Sequence, residues 1–375
     1  MAEPLDLTGI TGLDPGNKNV CTIEASCVTG FEAMAAEEVS SFLGCEAKVH
    51  RGRVAFDIDV GKVKDVLKLR CVNTVWVMLG HTENIEYPDT EEEQLQKLQD
   101  FAENMLDWDK GLEVWRNVTG FQGEMYPSEF ESKHPEGEED MESSPMVAKL
   151  SPLLFRCTCY RSGTNHMFRS TEVQKLVGGR VQEKFNWPVN CKNYDLEFTI
   201  NCDVKQVYCG INLNNISLFN RTGTHIGPCT LRPPILASLV MLAKLEVGDV
   251  VLDPMCGGGT ISLEGCQMGP HYHIGAELHI LAIKRSMDNY HALREKNKLP
   301  AQPAADFFQW DCLYPCLTDN SVDVIITDLP FGKRSGSKAD NRVLYPLPAL
   351  HGQGGEQIVL ITAVIFTLLA FVIKF

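Results

Sequence analysis

The chain has 375 residues, of which 44% are hydrophobic and 22% charged, with a formal net charge of −15. That balance excludes a wholly disordered polypeptide and leaves room for two or three ordinary domains. Its 14 cysteines are scattered rather than set in the tight framework of a small secreted domain, and the acidic start Met1-Ala2-Glu3-Pro4 reads as no signal peptide. Reduced thiols in the cytoplasm are therefore expected.

Residues 1–20 lack periodicity and read as a loose, disordered terminus. From Cys21 the pattern gives a strand to Cys27, a helix over Glu32 to Leu43, a hairpin over Val49 to Ile58 turning at His50-Arg51-Gly52-Arg53, a helical stretch Val60 to Cys71 and a strand Thr74 to Leu79. This βαββαβ order predicts a ferredoxin-like α+β unit over residues 21–90. A second unit over 91–215 opens with a helix, Glu91 to Met105, and a predicted strand, Leu112 to Val118. Residues 120–148 are rich in Glu, Ser, Pro and Gly and are expected to be a disordered acidic loop. Between Glu83 and Pro145 there are 19 Asp/Glu against 4 Lys/Arg, a balance of −15 that equals the whole chain's.

The rest of the chain is consequently neutral, and Ser151 to Arg232 holds 10 Lys/Arg against 5 Asp/Glu. A phosphate-contacting face follows if folding gathers Arg156, Arg161, Arg180, Lys184 and Lys192 on one side, although a solvated surface of mixed sign fits the same composition. This stretch predicts a strand from Leu153 to Tyr160, a helix from Glu172 to Phe185 broken near Gly178-Gly179, and strands at Asp195 to Cys202 and Gln206 to Leu213. Cys157-Thr-Cys159 and Cys312-x3-Cys316 have no matching second pair at zinc-finger spacing, so no metal site is expected.

A turn-rich linker, 216–234, leads to a predicted helix, Ile235 to Leu245. Alternating α/β then follows over 235–350, with near-continuous apolar strands of the kind buried on both faces. The first strand ends in Asp253-Pro-Met-Cys256-Gly257-Gly-Gly259-Thr260, where glycines let backbone approach a ligand closely. The second ends at Glu277, a carboxylate placed to accept hydrogen bonds from ribose hydroxyls. Asp311, after the third, can accept an adenine amino group. The fourth strand runs into Asp328-Leu329-Pro330-Phe331.

That last tetrapeptide suits one chemistry. An exocyclic amine is a poor nucleophile because its lone pair is delocalised into the ring. The Asp328 carboxylate and the Leu329 carbonyl, accepting its two N–H bonds, would localise that pair toward a methyl donor. Pro330 stiffens the turn, and Phe331 offers a face on which a flipped-out base can stack. Turn chemistry alone would also explain an Asp-x-Pro-Phe sequence, but not its company of Asp253, Glu277 and Asp311.

Asp-Pro-Met-Cys-Gly-x-Gly-Thr at 253–260, Gln-Trp-Asp at 309–311 and Thr-Asp-Leu-Pro-Phe-Gly-Lys-Arg at 327–334 resemble the THUMP-domain tRNA guanine-N2 methyltransferases. The resemblance implies an N-terminal module, ferredoxin-like plus THUMP, that grips the tRNA acceptor end. It implies a class I, Rossmann-like methyltransferase domain beyond it. Asp253, Cys256, Gly257, Gly259, Thr260, Glu277 and Asp311 would line an S-adenosylmethionine site, and Asp328 to Phe331 would hold the guanine. It also implies a small zinc-binding activator subunit as partner.

The chain departs from that family near His351. Asp328 is followed by only 47 residues, so a methyltransferase domain incomplete at its C-terminus is expected, with Ile358 to Ile361 as a fifth strand and residues 351–375 a divergent hydrophobic tail. Ile358 to Ile373 holds no charge. Three readings stand open: a buried strand plus helix, a membrane anchor, and a disordered or aggregation-prone end. As a helix the sixteen residues would reach only ~24 Å, against ~30 Å of hydrocarbon. Two functions are carried forward: a methyltransferase, and a catalytically inactive isoform that is RNA-binding or membrane-tethered. A DNA amino-methyltransferase shares the Asp-x-Pro-Phe logic but gives no use for a THUMP-like module.

Overall fold

The computed structural model describes residues 10–14, 16–83, 85–127, 151–164, 166–214, 217–218, 231–296, 298–299, 304–312, 314, 316–318 and 320–328, and the backbone of 357–359 and 370–374. Leu329, Pro330 and Phe331 fall outside these residues, as do 128–150 of the acidic segment and most of the 216–234 linker. The chain divides into two compact units.

The first unit is built on a seven-stranded sheet of order β2-β3-β1-β4-β7-β6-β5. Its strands are β1 (Val20–Cys27), β2 (Ala47–His50), β3 (Arg53–Asp59), β4 (Val72–Glu83), β5 (Phe155–Arg161), β6 (Leu196–Cys202) and β7 (Gln206–Asn212). A short helix that belongs to the second unit, α1 (Glu32–Glu38), follows β1 and runs into one π turn, and a 3-10 helix over Val60–Lys68 joins β3 to β4. Helices α2 (Glu91–Asn104), α3 (Trp108–Thr119) and α4 (Ser170–Phe185) complete the unit.

Four local expectations change here. Residues 112–118 are helical, not a strand, because α3 has its own start and stop signals. The Asp107 side chain accepts the Lys110 N–H, Gly120 closes the helix at φ 70°, and Trp108, Gly111, Leu112 and Trp115 form a buried stripe at helical spacing. The two valines in that stretch are packed by tertiary context rather than by strand pairing. Helix α4 runs unbroken through Gly178-Gly179. Gly178 is there for contact: a Cβ would stand 3.1 Å from Cβ of Cys157.

Nor are residues 10–14 and 16–20 loose. Asp57 accepts the N–H groups of Thr11 and Gly12, while Lys110 Nζ donates to the carbonyls of Gly12, Asp14 and Asn17 at 2.8–3.1 Å. The first residues of the expected acidic loop are likewise packed. Glu124 bonds with Ser151 and Leu153, and the Trp187 indole donates to the Met125 carbonyl at 2.7 Å.

The second unit comprises residues 27–38, 70–73 and 218–375. Its six-stranded sheet has the order β10-β9-β8-β11-β13-β12, with β8 (Val250–Asp253), β9 (Tyr272–Glu277), β10 (Ala305–Gln309) and β11 (Val324–Asp328) all parallel. Helices α5 (Pro233–Leu242), α6 (Thr260–Gly265) and α7 (Ile280–Glu295) alternate with them. Phe31, which leads into α1, is buried with Leu236, Leu239 and Val240 of α5 and with Val251, Ile261, Val324 and Ile326. At the end of α1 the Glu38 carboxylate accepts the N–H groups of Arg70 and Cys71 at 2.7 and 2.8 Å. The Arg70 guanidinium in turn meets Glu264 of α6 at 2.9 Å, with the Glu264 side chain 0% exposed.

The apolar tail supplies strands. β13 (Ala370–Lys374) pairs antiparallel with β11 from Val324↔Lys374 to Asp328↔Ala370, and β12 (Gln357–Val359) pairs with β13. A second strand thus stands where one of the three open readings put a helix, and it covers the N–H and C=O groups that β11 would otherwise leave open. Among the described residues no helix is long and apolar enough to cross a membrane.

Candidate active site

The site is set by strand direction. Because β10, β9, β8 and β11 are neighbours and parallel, their carboxyl ends emerge along one rim, where open α/β sheets hold ligands. Taken in sheet order, that rim carries Asp311, Glu277, Asp253 and Asp328. Three strand spacings give it a length of about 14 Å. Val324 lies opposite Val251 and Ile325 opposite Leu252, so Asp328 stands two residues beyond the partner of Asp253. Their Cα atoms are then about 8 Å apart, from strand spacing and rise.

Asp253 is 2% exposed and accepts the Met255 N–H at 3.2 Å. Burial pushes its carboxyl up to about 7, against the lowering effect of the Thr327 hydroxyl and the Met255 N–H and with reinforcement from the charges of Asp328 and Glu277. Asp328 is also pushed up to about 7, by burial. Its Oδ1 is buried without a hydrogen-bond partner among the described residues. A buried acceptor left open costs free energy that an incoming N–H would recover.

Between these carboxylates lies the glycine turn. The Cys256 N–H donates to the Ala276 carbonyl at 2.8 Å and the Gly257 N–H to Glu277 Oε2 at 3.1 Å, so β9 holds both ends of the approach to the turn. Glu277 Oε1 also takes the His279 N–H at 3.2 Å. Gly257 and Gly259 have φ of 54° and 74°, a region that costs other residues. Nothing lies within 4 Å of where a Cβ on Gly257 would stand, while one on Gly259 would strike the Phe307 ring at 2.7 Å. One glycine keeps space open and the other packs the turn down on β10. Thr260 then begins α6. The Cys256 thiol, buried and pushed up by that burial, stays protonated.

At the far end of the rim the Trp310 N–H donates to the Glu277 carbonyl at 3.0 Å and its indole to the Tyr314 carbonyl at 2.7 Å, which sets the position of Asp311. A row of carboxylates beside an open glycine fits a positively charged nucleoside. Residues 221–363 match the family described as RMKL-like, methyltransferase domain. Over 387 residues the chain is 32% identical to tRNA (guanine(6)-N(2))-methyltransferase THUMP3 of Bos taurus, covering 87% of this chain and 76% of that one.

The chain belongs to the THUMP3 family of guanine-N2-methyltransferases. In fold it resembles the crystal structure of TrmN from Thermus thermophilus, with TM-score 0.61, 19% identity, and 94% of this chain and 99% of that chain covered. It also resembles the crystal structure of SMU.472 complexed with SAH, at TM-score 0.61 and 15% identity over 88% of this chain and 85% of that one. The methyltransferase half is accordingly a class I, Rossmann-like sheet, as its strand order predicts.

The basic residues singled out in the sequence fall into separate groups within the first unit. Arg156 bonds to Glu197 through Nε and Nη2 at 3.0 and 2.8 Å, and its guanidinium lies 4.0 Å from the centre of the Tyr194 ring. Tyr194 and Lys192 line a recess of about 400 Å³. Arg180 pairs with Glu103 and Glu183 and lines a second recess with Lys184. Arg161 is tied to Ser170 and to the Phe168 carbonyl. Sequence reasoning quoted Thr327 within the 327–334 motif without giving it a role, and it missed Phe307 of β10 and the polar residues of α7 that face the glycine turn. Phe307 and the α7 residues belong to no motif, and for α7 only an interior polar residue on a helix face could have marked them.

Proposed function

We propose that the chain methylates guanine N2 in a tRNA, with S-adenosylmethionine as the donor. One observation carries the assignment of the site: parallel pairing of β8 and β11 brings Asp253 and Asp328 to the same rim, beside an open glycine turn. S-adenosylmethionine supplies, when bound, an electrophilic methyl group on a cationic sulfur. Glu277 retains lone pairs for ribose hydroxyls beyond the two N–H groups it already accepts. Asp311 faces the adenine end, Gly257 and Gly259 admit the backbone to close range, and Asp253 braces the turn from beneath. Asp328 in its ionised form accepts one N–H of the guanine amino group, with the Leu329 carbonyl as second acceptor and Phe331 as the stacking face.

The order β2-β3-β1-β4, followed by β7-β6-β5, supports reading the first unit as a ferredoxin-like module joined to a THUMP module that holds the acceptor end. Arg156, Lys192 and Tyr194 form its best-placed basic and aromatic group. The reading carries with it the small zinc-binding activator subunit that the resemblance implies and the cytoplasmic location expected from scattered reduced cysteines. The pairing of 370–374 with β11 favours a packed tail over a lipid-bound one, and the intact row of carboxylates favours an active enzyme over an inactive isoform.

Transfer of tritiated methyl to bulk tRNA, with the activator supplied, tests the reading. Asp328→Ala should abolish transfer and leave cofactor affinity within a few-fold. Equal loss of both would make Asp328 structural. Incorporation by wild type but not by a chain lacking the last 25 residues would assign the tail strands to the working sheet.

A further inference from the structure

Two polar side chains are buried on the face of α7 that meets the glycine turn. Ser286 is 0% exposed and Asn289 1%. The Ser286 hydroxyl donates to the Gly257 carbonyl at 3.0 Å, with its own helix's Ala282 carbonyl as the alternative acceptor at 3.1 Å. The Asn289 amide donates to the Gly258 carbonyl at 3.2 Å. Cys256 Sγ lies 3.9 Å from Ser286 Oγ, so the protonated thiol can donate to that hydroxyl in turn. The turn is also seated sterically: a Cβ on Gly259 would come within 2.9 Å of the Ser286 Cβ.

Consecutive glycine carbonyls held on one side fix what the turn shows on the other. In a trans peptide the N–H points opposite to the preceding carbonyl. With the Gly257 carbonyl turned to α7, the Gly258 N–H faces away from the helix. Glycines at positive φ have no side chain to hold such a peptide plane, and either plane could flip at small cost. A helix interior ordinarily has little use for a buried serine and asparagine, since each must find a partner. Here both partners are carbonyls of the turn. From this we infer that Ser286 and Asn289 are positioning residues for S-adenosylmethionine: they clamp residues 257–258 in the one orientation that presents backbone N–H to the cofactor.

The inference rests on the assignment of the 253–260 turn to S-adenosylmethionine, and its test separates the two. Isothermal titration of S-adenosylhomocysteine into the full chain, wild type against Ser286→Ala, Asn289→Asp and Asn289→Leu, reads the clamp without needing turnover. Asn289→Asp keeps size and shape but replaces the donor by an acceptor aimed at a carbonyl. The expected result is a Kd raised about tenfold for Ser286→Ala and more for Asn289→Asp, tenfold being the ordinary worth of one such bond. Melting of the ligand-free protein should fall by only a few degrees. In steady state KM for the donor should rise with kcat and KM for RNA nearly unchanged.

A wild type that binds no S-adenosylhomocysteine refutes the assignment of the turn. A wild type that binds, with all three variants within two-fold of it, refutes the clamp alone. So does a variant whose loss of binding tracks a lowered melting temperature and is shared equally by kcat and both KM values.

Discussion

Arg70→Met removes the guanidinium that meets Glu264, whose side chain is 0% exposed. The carboxylate cannot reach water, so the variant loses the ion pair without regaining hydration. Breaking one partner out of a buried pair typically costs about 3–5 kcal/mol, a large share of the 5–15 kcal/mol that holds a domain together. Urea titrations followed by hydrogen exchange of peptides spanning 250–277 would report this unit alone. The expected deficit is at least ~3 kcal/mol, with Arg70→Met/Glu264→Leu recovering most of it. A deficit under ~1 kcal/mol would mean the pair does not hold the helix.

Asp253, pushed up to about 7 from 3.8, binds its proton more tightly folded than unfolded. Its contribution to stability is full below about pH 4 and is lost as pH rises to about 7, a span worth on the order of 4 kcal/mol. Asp253→Asn should flatten that slope in urea midpoints taken from pH 4 to 8, and a wild type with no slope there would contradict the placement. Asp328 at about 7 accepts an amine N–H only when ionised. The single-turnover rate should therefore climb with pH and level off above about 7, while a flat profile from pH 6 to 8.5 would remove Asp328 from the acceptor role. Gly259→Ala adds a Cβ 2.7 Å from the Phe307 ring at φ 74° and should cost roughly 2–4 kcal/mol. Gly257→Ala meets nothing within 4 Å, so its thermal melt should move less than its cofactor affinity does.

The rim was legible in the sequence because each carboxylate ends an apolar run, and a parallel sheet must bring such ends together. Asp253, Glu277, Asp311 and Asp328 needed no coordinates to be linked. What failed was local and had a local cause. Leu112 to Val118 carries β-branched residues, yet Asp107 and Gly120 cap a helix around them. Gly178-Gly179 looks like a break, but the helix runs through it and Gly178 makes room for Cys157. Other features are contacts between residues far apart in the chain: Lys110 gathering the carbonyls near Gly12, Arg70 reaching Glu264, Ser286 reaching Gly257. No periodicity records a pair separated by 98 or 194 positions. The tail's second strand was hidden for a different reason, since a short apolar run reads equally as strand or helix.

That Phe31, Glu38 and Arg70 are built into the second unit has a consequence for biosynthesis. About 180 residues separate position 73 from the start of β8, and at 5–20 residues per second that is roughly 10–35 s of translation. Through that interval the early segments must stay soluble without the apolar surface they are destined to meet. Chaperone engagement should accordingly peak on nascent chains halted between these two points and fall once residues 324–328 have left the ribosome. A fragment beginning at the linker would be born without the Arg70 that meets Glu264, and cutting the gene there should give inclusion bodies rather than a working catalytic half.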